Sequence, residues 1–190
     1  MGRKGCGKSE LAKYLAAGKK RLIILDPQSE YDIGLRVNNF NQFTEALQKY
    51  RFNEDVKIRY FPQDKKDIKF MFSLICDVVY DFADVTFLIE ELGYFMSATS
   101  FPASFARLVM GSRHQRISII GVTQRATKIP RDLRSQADVI YSFQQVEPLD
   151  VKYISEFMEM KSVSRVRTLT DHNFIEWLPD GSTTIKKLKL

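Results

Sequence analysis

A glycine-rich loop at the start of the chain restricts its fold more than any other feature. Residues 2–9 read Gly-Arg-Lys-Gly-Cys-Gly-Lys-Ser, which matches the pattern G-x-x-x-x-G-K-[ST]. Such a loop turns its backbone N–H groups toward a phosphate chain, its lysine reaches the β- and γ-phosphates, and its hydroxyl ligates Mg²⁺. The predicted nucleoside triphosphate site comprises Gly2, Gly5, Cys6, Gly7, Lys8 and Ser9.

The residues after the loop favour a helix. Residues 9–17 are mostly good helix formers with few β-branched side chains, and Gly18 is a suitable residue to end the helix. The loop would then open a helix whose N-terminal dipole attracts an anion. The simpler alternative is a glycine-rich turn that leads into a helix and binds nothing.

Short apolar runs alternate with stretches of helical spacing along the rest of the chain. The runs predict strands at 21–26, 56–61, 85–89, 117–123 and 138–143. The helical stretches are 40–52, 67–80, 102–110 and 149–160. This alternation predicts an α/β fold with a mostly parallel sheet flanked by helices. In the tail, the turn Pro179-Asp-Gly181 between residues 173–178 and 182–190 predicts a C-terminal β-hairpin.

Two adjacent acids follow the predicted strand at 85–89. Glu90 and Glu91 stand at the carboxyl end of this strand, where ligands bind in parallel sheets. A nucleotide hydrolase needs one carboxylate near Mg²⁺ and another to activate the attacking water, so we expect Glu90 to serve the metal and Glu91 to act in catalysis. The alternative is a pair of solvated acids at a strand end.

Polar residues near the next strand are further candidates. Gln124 follows the strand at 117–123, where its amide could contact the γ-phosphate or the attacking water. Arg113 could stabilise phosphoryl charge in a neighbouring subunit, because a trans arginine has this role in many nucleotide hydrolases. The sequence leaves other arginines open for the same role, namely Arg116, Arg125, Arg131 and Arg134.

Composition limits the class of protein. The 190 residues carry a net charge of +6 with a pI near 9.3, which is compatible with a nucleic-acid partner but is also common in ordinary soluble domains. Two cysteines and two histidines predict neither a disulfide scaffold nor a zinc site. No apolar run approaches the roughly 20 residues that span a bilayer. Because a structural disulfide is not expected, a reducing compartment fits, and we expect a cytoplasmic protein.

Four segments together resemble the FtsK/HerA superfamily of P-loop ATPases, and most closely its viral DNA-packaging branch. Residues 2–9 match the Walker A loop, and 23–31, Ile-Ile-Leu-Asp-Pro-Gln-Ser-Glu-Tyr, are similar to the family's strand, Asp-Pro and Glu-Tyr segment. Residues 87–91, Phe-Leu-Ile-Glu-Glu, match its Walker B strand. The fourth segment, residues 112–138, resembles the family's Arg-His and strand-Gln region.

The resemblance implies a RecA-like core of the ASCE type, a homo-oligomeric ring of about five or six subunits, and ATP hydrolysis coupled to translocation of double-stranded DNA. By position it implies that Lys8 and Ser9 bind phosphate and Mg²⁺, Glu91 activates water, Gln124 senses the γ-phosphate, and Arg113 acts in trans. A capsid portal vertex would be a further partner, in the host cytoplasm.

Two departures from the family pattern stand out. Glu90 occupies a position where the family usually has Asp, and only Met1 precedes the phosphate loop, so the first strand is missing. We expect that strand to lie between those ending at Glu91 and Gln124, and therefore expect a chain truncated at its N-terminus. The alternative is a rearranged fold. The ATPase core would cover 1–145, and 146–190 would form a helix and hairpin extension packed on the same domain.

Three other functions remain open from sequence. Related ATPases drive conjugation, secretion or phage extrusion, and some of them are tethered to membranes. A nucleotide-binding module that hydrolyses nothing would also fit the substitution at Glu90. A small-molecule kinase fits less well, because such enzymes usually carry a basic lid and lack a catalytic glutamate on the neighbouring strand.

Overall fold

The computed structural model describes residues 1–63 and 68–188 and divides into two compact units. The loop unit consists of Met1–Leu11, Met96–Ser100 and Thr123–Leu190. The sheet unit consists of Ala12–Phe95 and Phe101–Val122. We describe each unit separately.

The sheet unit is built on a parallel sheet, as the alternating sequence pattern predicts. Among the described residues it has five strands in the order β2-β3-β1-β4-β5, and every neighbouring pair is parallel. The strands are β1 Arg21–Leu25, β2 Leu35–Val37, β3 Val56–Tyr60, β4 Val85–Ile89 and β5 Ile117–Gly121. The mostly parallel central sheet is therefore confirmed. Strand β2 was not predicted, because it has three residues and only Val37 is buried.

Helices accompany these strands close to their predicted positions. They are α1 Lys8–Ala17, which begins in the loop unit, α2 Phe40–Lys49, α3 Ile68–Phe82 and α4 Ala103–Gly111. The Asn39 side chain caps α2 by accepting a hydrogen bond from the Gln42 N–H at 3.0 Å. The predicted start of α3 at Asp67 lies outside the described residues.

The core of the sheet unit lies on the central strands. Leu22 and Ile24 of β1 and Leu88 of β4 are fully buried and pack with Ala16 of α1 and with Tyr31. Burial of such side chains contributes roughly 1.5–3 kcal/mol each, so this cluster fixes the sheet against the helix. The polar residues that follow β1 and β4 are thereby held at the carboxyl edge of a rigid scaffold.

The expectation that a first strand lies between the strands ending at Glu91 and Gln124 was wrong. Strand β4 pairs directly with β5 from Val85 with Ile117 to Ile89 with Gly121, and these parallel strands leave no place for another strand between them. The reason is that the backbone groups of the two strands already bond to each other. The sheet therefore has no exposed edges at its middle.

The loop unit contains an antiparallel sheet of three strands within the described residues, in the order β6-β7-β8. These are β6 Ile140–Ser142, β7 Asn173–Trp177 and β8 Thr183–Lys187, and β7 and β8 form the predicted C-terminal hairpin. Three short helices belong to the same unit, namely α5 Arg131–Arg134, α6 Pro148–Ile154 and α7 Met160–Val166. Ile154, Val166 and Ile175 are fully buried in its core.

Two predictions in this region were wrong. The run at 138–143 was expected to join the parallel sheet, but β6 pairs antiparallel with β7, where Ile140 lies opposite Trp177. The stretch 149–160 was expected to be one helix, but α6 ends at Ile154 and α7 begins at Met160. Between them the chain turns, and Met158 in this turn is buried in the core of the loop unit.

Candidate functional site

The predicted phosphate loop has the conformation of a tight turn into a helix. Residues 3–7 form turns and bends, α1 begins at Lys8, and the Leu11 N–H donates to the Gly7 carbonyl at 2.9 Å. Lys8 is only 9% exposed, and its Nζ donates across the loop to the Arg3 carbonyl at 2.8 Å. The lysine is therefore folded over the loop, where its ammonium group can move to a phosphate oxygen.

Backbone hydrogen bonds fix the start of the loop within the loop unit. The Gly2 N–H donates to the Thr123 carbonyl at 3.2 Å. The Arg3 N–H donates to the Gln144 carbonyl at 3.1 Å, and the Phe143 N–H donates to the Met1 carbonyl at 2.8 Å. The first residues are thus bonded to one segment after β5 and to another after β6.

Gly7 is required where it stands. Its φ is +99°, and a Cβ at this position would lie 2.7 Å from Cδ2 of His172. His172 and Asp171 themselves have positive φ values of 61° and 51°, which non-glycine residues rarely adopt. The imidazole of His172 therefore packs on the loop, a contact that no sequence pattern predicts.

Gln124 lies in the same unit as the loop. The buried side chain of Gln145 donates from Nε2 to the Gln124 carbonyl at 3.4 Å, and Thr123 before it is buried. Because Gly2 bonds to Thr123, the structure places Gln124 directly after a residue that contacts the loop. No sequence pattern predicts that the segment at Gln124 lies next to the phosphate loop.

The carboxylate of Asp150 organises the segment that follows Gln124. It is fully buried and accepts hydrogen bonds from Arg125 Nε at 2.5 Å, the Thr127 N–H at 3.0 Å and the Thr127 hydroxyl at 2.8 Å. These bonds satisfy the charge that burial would otherwise penalise. They attach the turn at 125–127 to α6.

In the sheet unit, Glu90 and Glu91 follow β4 as predicted but differ in environment. Glu90 is 3% exposed, whereas Glu91 is half-buried. Glu91 has φ 54° and ψ 45°, in the left-handed region, where a non-glycine residue carries about 1–3 kcal/mol of strain. The Tyr94 N–H donates to its carbonyl at 2.7 Å and helps to hold this turn. Strained residues of this kind are typical of functional sites.

Sequence reasoning missed a buried tyrosine at Glu90. The Tyr31 hydroxyl donates to Glu90 Oε2 at 2.5 Å, and Tyr31 is 1% exposed. Burial, and then the charge of Glu90, raise the pKa of Tyr31 above its ordinary value, so the phenol remains a donor. The two residues are separated by 59 positions in sequence. Glu90 was predicted from its place after a strand, whereas Tyr31 was marked only by the similarity of residues 23–31 to a family segment.

Arg113 lies exposed just after α4, also in the sheet unit. The alternative arginines pair with carboxylates of their own chain: Arg116 with Asp84, Arg125 with Asp150, and both Arg131 and Arg134 with Glu156. Hydrogen bonds, first from Arg131, lower the pKa of Glu156.

The donor groups fit Mg²⁺, a hard cation that prefers oxygen ligands. Ser9 offers a hydroxyl in the first turn of α1, and Glu90 offers a buried carboxylate. Across residues 1–63 and 68–188, no three His, Cys, Asp or Glu side chains gather as a metal cluster. Magnesium at nucleotide sites usually needs only one or two side chains besides phosphates and water, and each of these two oxygen donors is of a type that it accepts. No helix within residues 1–63 and 68–188 has the length and apolar character of a transmembrane segment.

No protein-family model matches the sequence, and no curated protein matches it. Solved structures do resemble it. The genome packaging NTPase B204 from Sulfolobus turreted icosahedral virus 2, in complex with AMPPCP, is 24% identical with a TM-score of 0.78 over 100% of this chain and 95% of its own. B204, the DNA-packaging ATPase from Sulfolobus turreted icosahedral virus, is 22% identical with a TM-score of 0.69 over 99% and 95%.

A more distant likeness is the N-terminal domain of zonular occludens toxin from Neisseria meningitidis, with 14% identity and a TM-score of 0.52 over 100% of this chain and 92% of that domain. At these identities the likeness concerns the fold. The chain has the P-loop NTPase fold seen in B204, and the predicted fold, a mostly parallel sheet with flanking helices, is confirmed.

Proposed function

We propose that this protein is an ATPase that drives double-stranded DNA into a viral capsid. The observation that carries the proposal is the phosphate loop itself. Residues 2–9 have both the sequence pattern and the turn-to-helix conformation of a triphosphate site. The fold shared with B204 supports the same reading, because B204 is described as a DNA-packaging ATPase and was solved with AMPPCP and ATP-gammaS.

The loop residues have the task of binding and orienting the triphosphate. Lys8 exchanges the Arg3 carbonyl for a phosphate oxygen, so its ammonium group pairs with an anionic acceptor instead of a neutral one. The N-terminus of α1 adds its positive dipole end and unpaired N–H groups. The loop backbone contacts the phosphates at four further residues: Gly2, Gly5, Cys6 and Gly7.

The polar residues beyond the loop have roles in hydrolysis. Glu91 accepts a proton from the attacking water, and the Gln124 amide contacts the γ-phosphate or that water. Ser9 and Glu90 would hold Mg²⁺, which when bound neutralises charge on the phosphates. Arg113 of one subunit acts on the phosphoryl group held by the next, as the resemblance implies.

The proposed partners are double-stranded DNA, further copies of this chain in a ring of about five or six subunits, and a capsid portal vertex. The net charge of +6 suits sequence-independent contact with DNA phosphates. The site of action would be the cytoplasm of an infected host cell.

ATP turnover by the full chain tests the enzymatic part of this proposal. The Glu91→Gln variant removes the base but keeps the side-chain shape, so we expect turnover to fall roughly 100-fold or more with ATP still bound. Glu45→Gln, an exposed residue of α2, is the matched control and should keep wild-type turnover. Equal turnover by wild type and Glu91→Gln would refute the proposed ATPase activity. It would favour a nucleotide-binding module that does not hydrolyse ATP.

A further inference from the structure

The Asp26-Pro-Gln-Ser-Glu-Tyr31 segment connects two neighbouring strands through buried polar contacts. It begins directly after β1, whose Leu25 pairs with Ile89 of β4, and Glu90 follows Ile89. The Glu90 N–H donates to the Leu25 carbonyl at 3.0 Å. The start of the segment and the candidate metal-binding acid are therefore held in register by the sheet.

Asp26 fixes the shape of this segment. Its fully buried carboxylate accepts the Glu30 N–H at 2.9 Å and the Tyr31 N–H at 3.1 Å, and Arg59 NH1 lies 3.8 Å from it. These bonds fold the chain back so that Tyr31 returns toward the strand ends. The tyrosine ring is buried among Ala16, Leu22 and Leu88, which leaves it little rotational freedom.

From these contacts we infer that Tyr31 is a positioning residue that holds the Glu90 carboxylate in a single orientation, as a ligand of the proposed Mg²⁺ would require. The hydroxyl donates to Oε2 of an acid that is 3% exposed, so one carboxylate oxygen is fixed by a rigid buried donor. Glutamate has one methylene more than aspartate and hence one more rotatable bond. Tyr31 restrains that additional freedom. The inference rests on the proposed function, because it concerns the metal-bound nucleotide.

A matched pair of tyrosine variants tests the inference by binding rather than by turnover. Affinity for a fluorescent ADP analogue is measured with Mg²⁺ and in EDTA for the wild type, Tyr31→Phe and Tyr60→Phe. Tyr60 is an equally buried tyrosine that stacks on Phe43. Loss of a residue that orients a metal ligand typically costs 10- to 100-fold in metal affinity, and we expect a weakening of roughly this size for Tyr31→Phe with Mg²⁺ only.

In EDTA, Tyr31→Phe and the wild type should bind alike, and Tyr60→Phe should match the wild type in both conditions. A Glu90→Asp background provides a second test, since the shorter side chain draws the carboxylate back from the Tyr31 hydroxyl. There, adding Tyr31→Phe should change Mg²⁺-dependent affinity by less than about threefold.

Three results would overturn the inference. Unchanged Mg²⁺-dependent affinity in Tyr31→Phe would show that the hydroxyl does not matter to the metal. Equal weakening with Mg²⁺ and in EDTA would show a general loss of structure, which urea unfolding followed by circular dichroism would detect. An undiminished effect in Glu90→Asp would show that Tyr31 does not act through Glu90. A wild type that binds no nucleotide would instead refute the proposed function itself.

Discussion

Lys8 is the residue on which nucleotide binding most directly depends. Its ammonium group already donates to one carbonyl of the loop and is largely shielded from water. A hydrogen bond to a charged group contributes about 1.5–3 kcal/mol, so Lys8→Ala should weaken ATP binding roughly 10- to 100-fold or more. Calorimetric titration measures the change, with Lys4→Ala as control, because Lys4 is an exposed lysine of the same loop. Similar losses for both variants would indicate a general charge effect.

Gly7 should tolerate substitution worse than Gly5. Both have positive φ, but a Cβ at Gly7 meets His172 at 2.7 Å, whereas one at Gly5 meets nothing within 4 Å. Gly7→Ala should lower the free energy of unfolding by about 1–3 kcal/mol more than Gly5→Ala, as urea titration would measure. Adding His172→Ala should recover part of the difference. An equal effect of both glycine variants would contradict the contact with His172.

At the scale of residues, the sequence pattern identified the groups with chemistry but not their neighbours. The loop, Glu90 and Glu91 were identifiable because their residue types and spacing are restricted by the ligand. Tyr31 and His172 were not, because their contacts with Glu90 and Gly7 join residues far apart in sequence. Such contacts depend on strand order and on unusual backbone angles, neither of which has a local signature.

Asp150 stabilises the turn at 125–127, which follows Gln124. Its buried carboxylate joins α6 to the turn at 125–127, and Asp150→Asn would replace a charged acceptor by an amide that cannot satisfy both partners. Loss of a buried charged hydrogen bond predicts a destabilisation of about 1.5–3 kcal/mol, measured by urea unfolding. Asp132→Asn, at an exposed position of α5, should have little effect. No difference between the two would contradict the anchoring role of Asp150.

At the scale of elements, long apolar runs correctly predicted the strands β1, β3, β4 and β5. Amphipathic stretches correctly predicted most helices. The errors came from strand pairing. A run such as β6 satisfies the pattern of a buried parallel strand equally well, and only its partner β7 reveals the antiparallel sheet. Likewise, helical spacing at 149–160 does not show that the chain turns between Ile154 and Met160. Pairing partners and short turns are decided by tertiary packing.

For the whole molecule, the proposed ring predicts complementation between two inactive subunits. The Arg113→Ala variant should bind ATP normally but hydrolyse it slowly, because its rings lack the trans arginine. The Glu91→Gln variant should also bind ATP and hydrolyse it slowly, because it lacks the catalytic base. Mixed rings would contain interfaces with an intact Glu91 from one subunit and an intact Arg113 from its neighbour, so partial activity should return. Arg116→Ala is the control arginine, since Arg116 pairs with Asp84. Mixtures as inactive as either variant alone would contradict a trans role for Arg113.

DNA-dependent ATP turnover by the purified protein is the decisive test of a DNA-packaging motor. ATP hydrolysis is measured with double-stranded DNA of unrelated sequences, at salt rising from about 50 to 200 mM, with Glu91→Gln as the inactive reference. We expect stimulation by every DNA sequence at low salt and a steep decline as salt rises, because phosphate contacts release counterions. Turnover that is indifferent to DNA at the lowest salt would contradict a DNA-packaging motor.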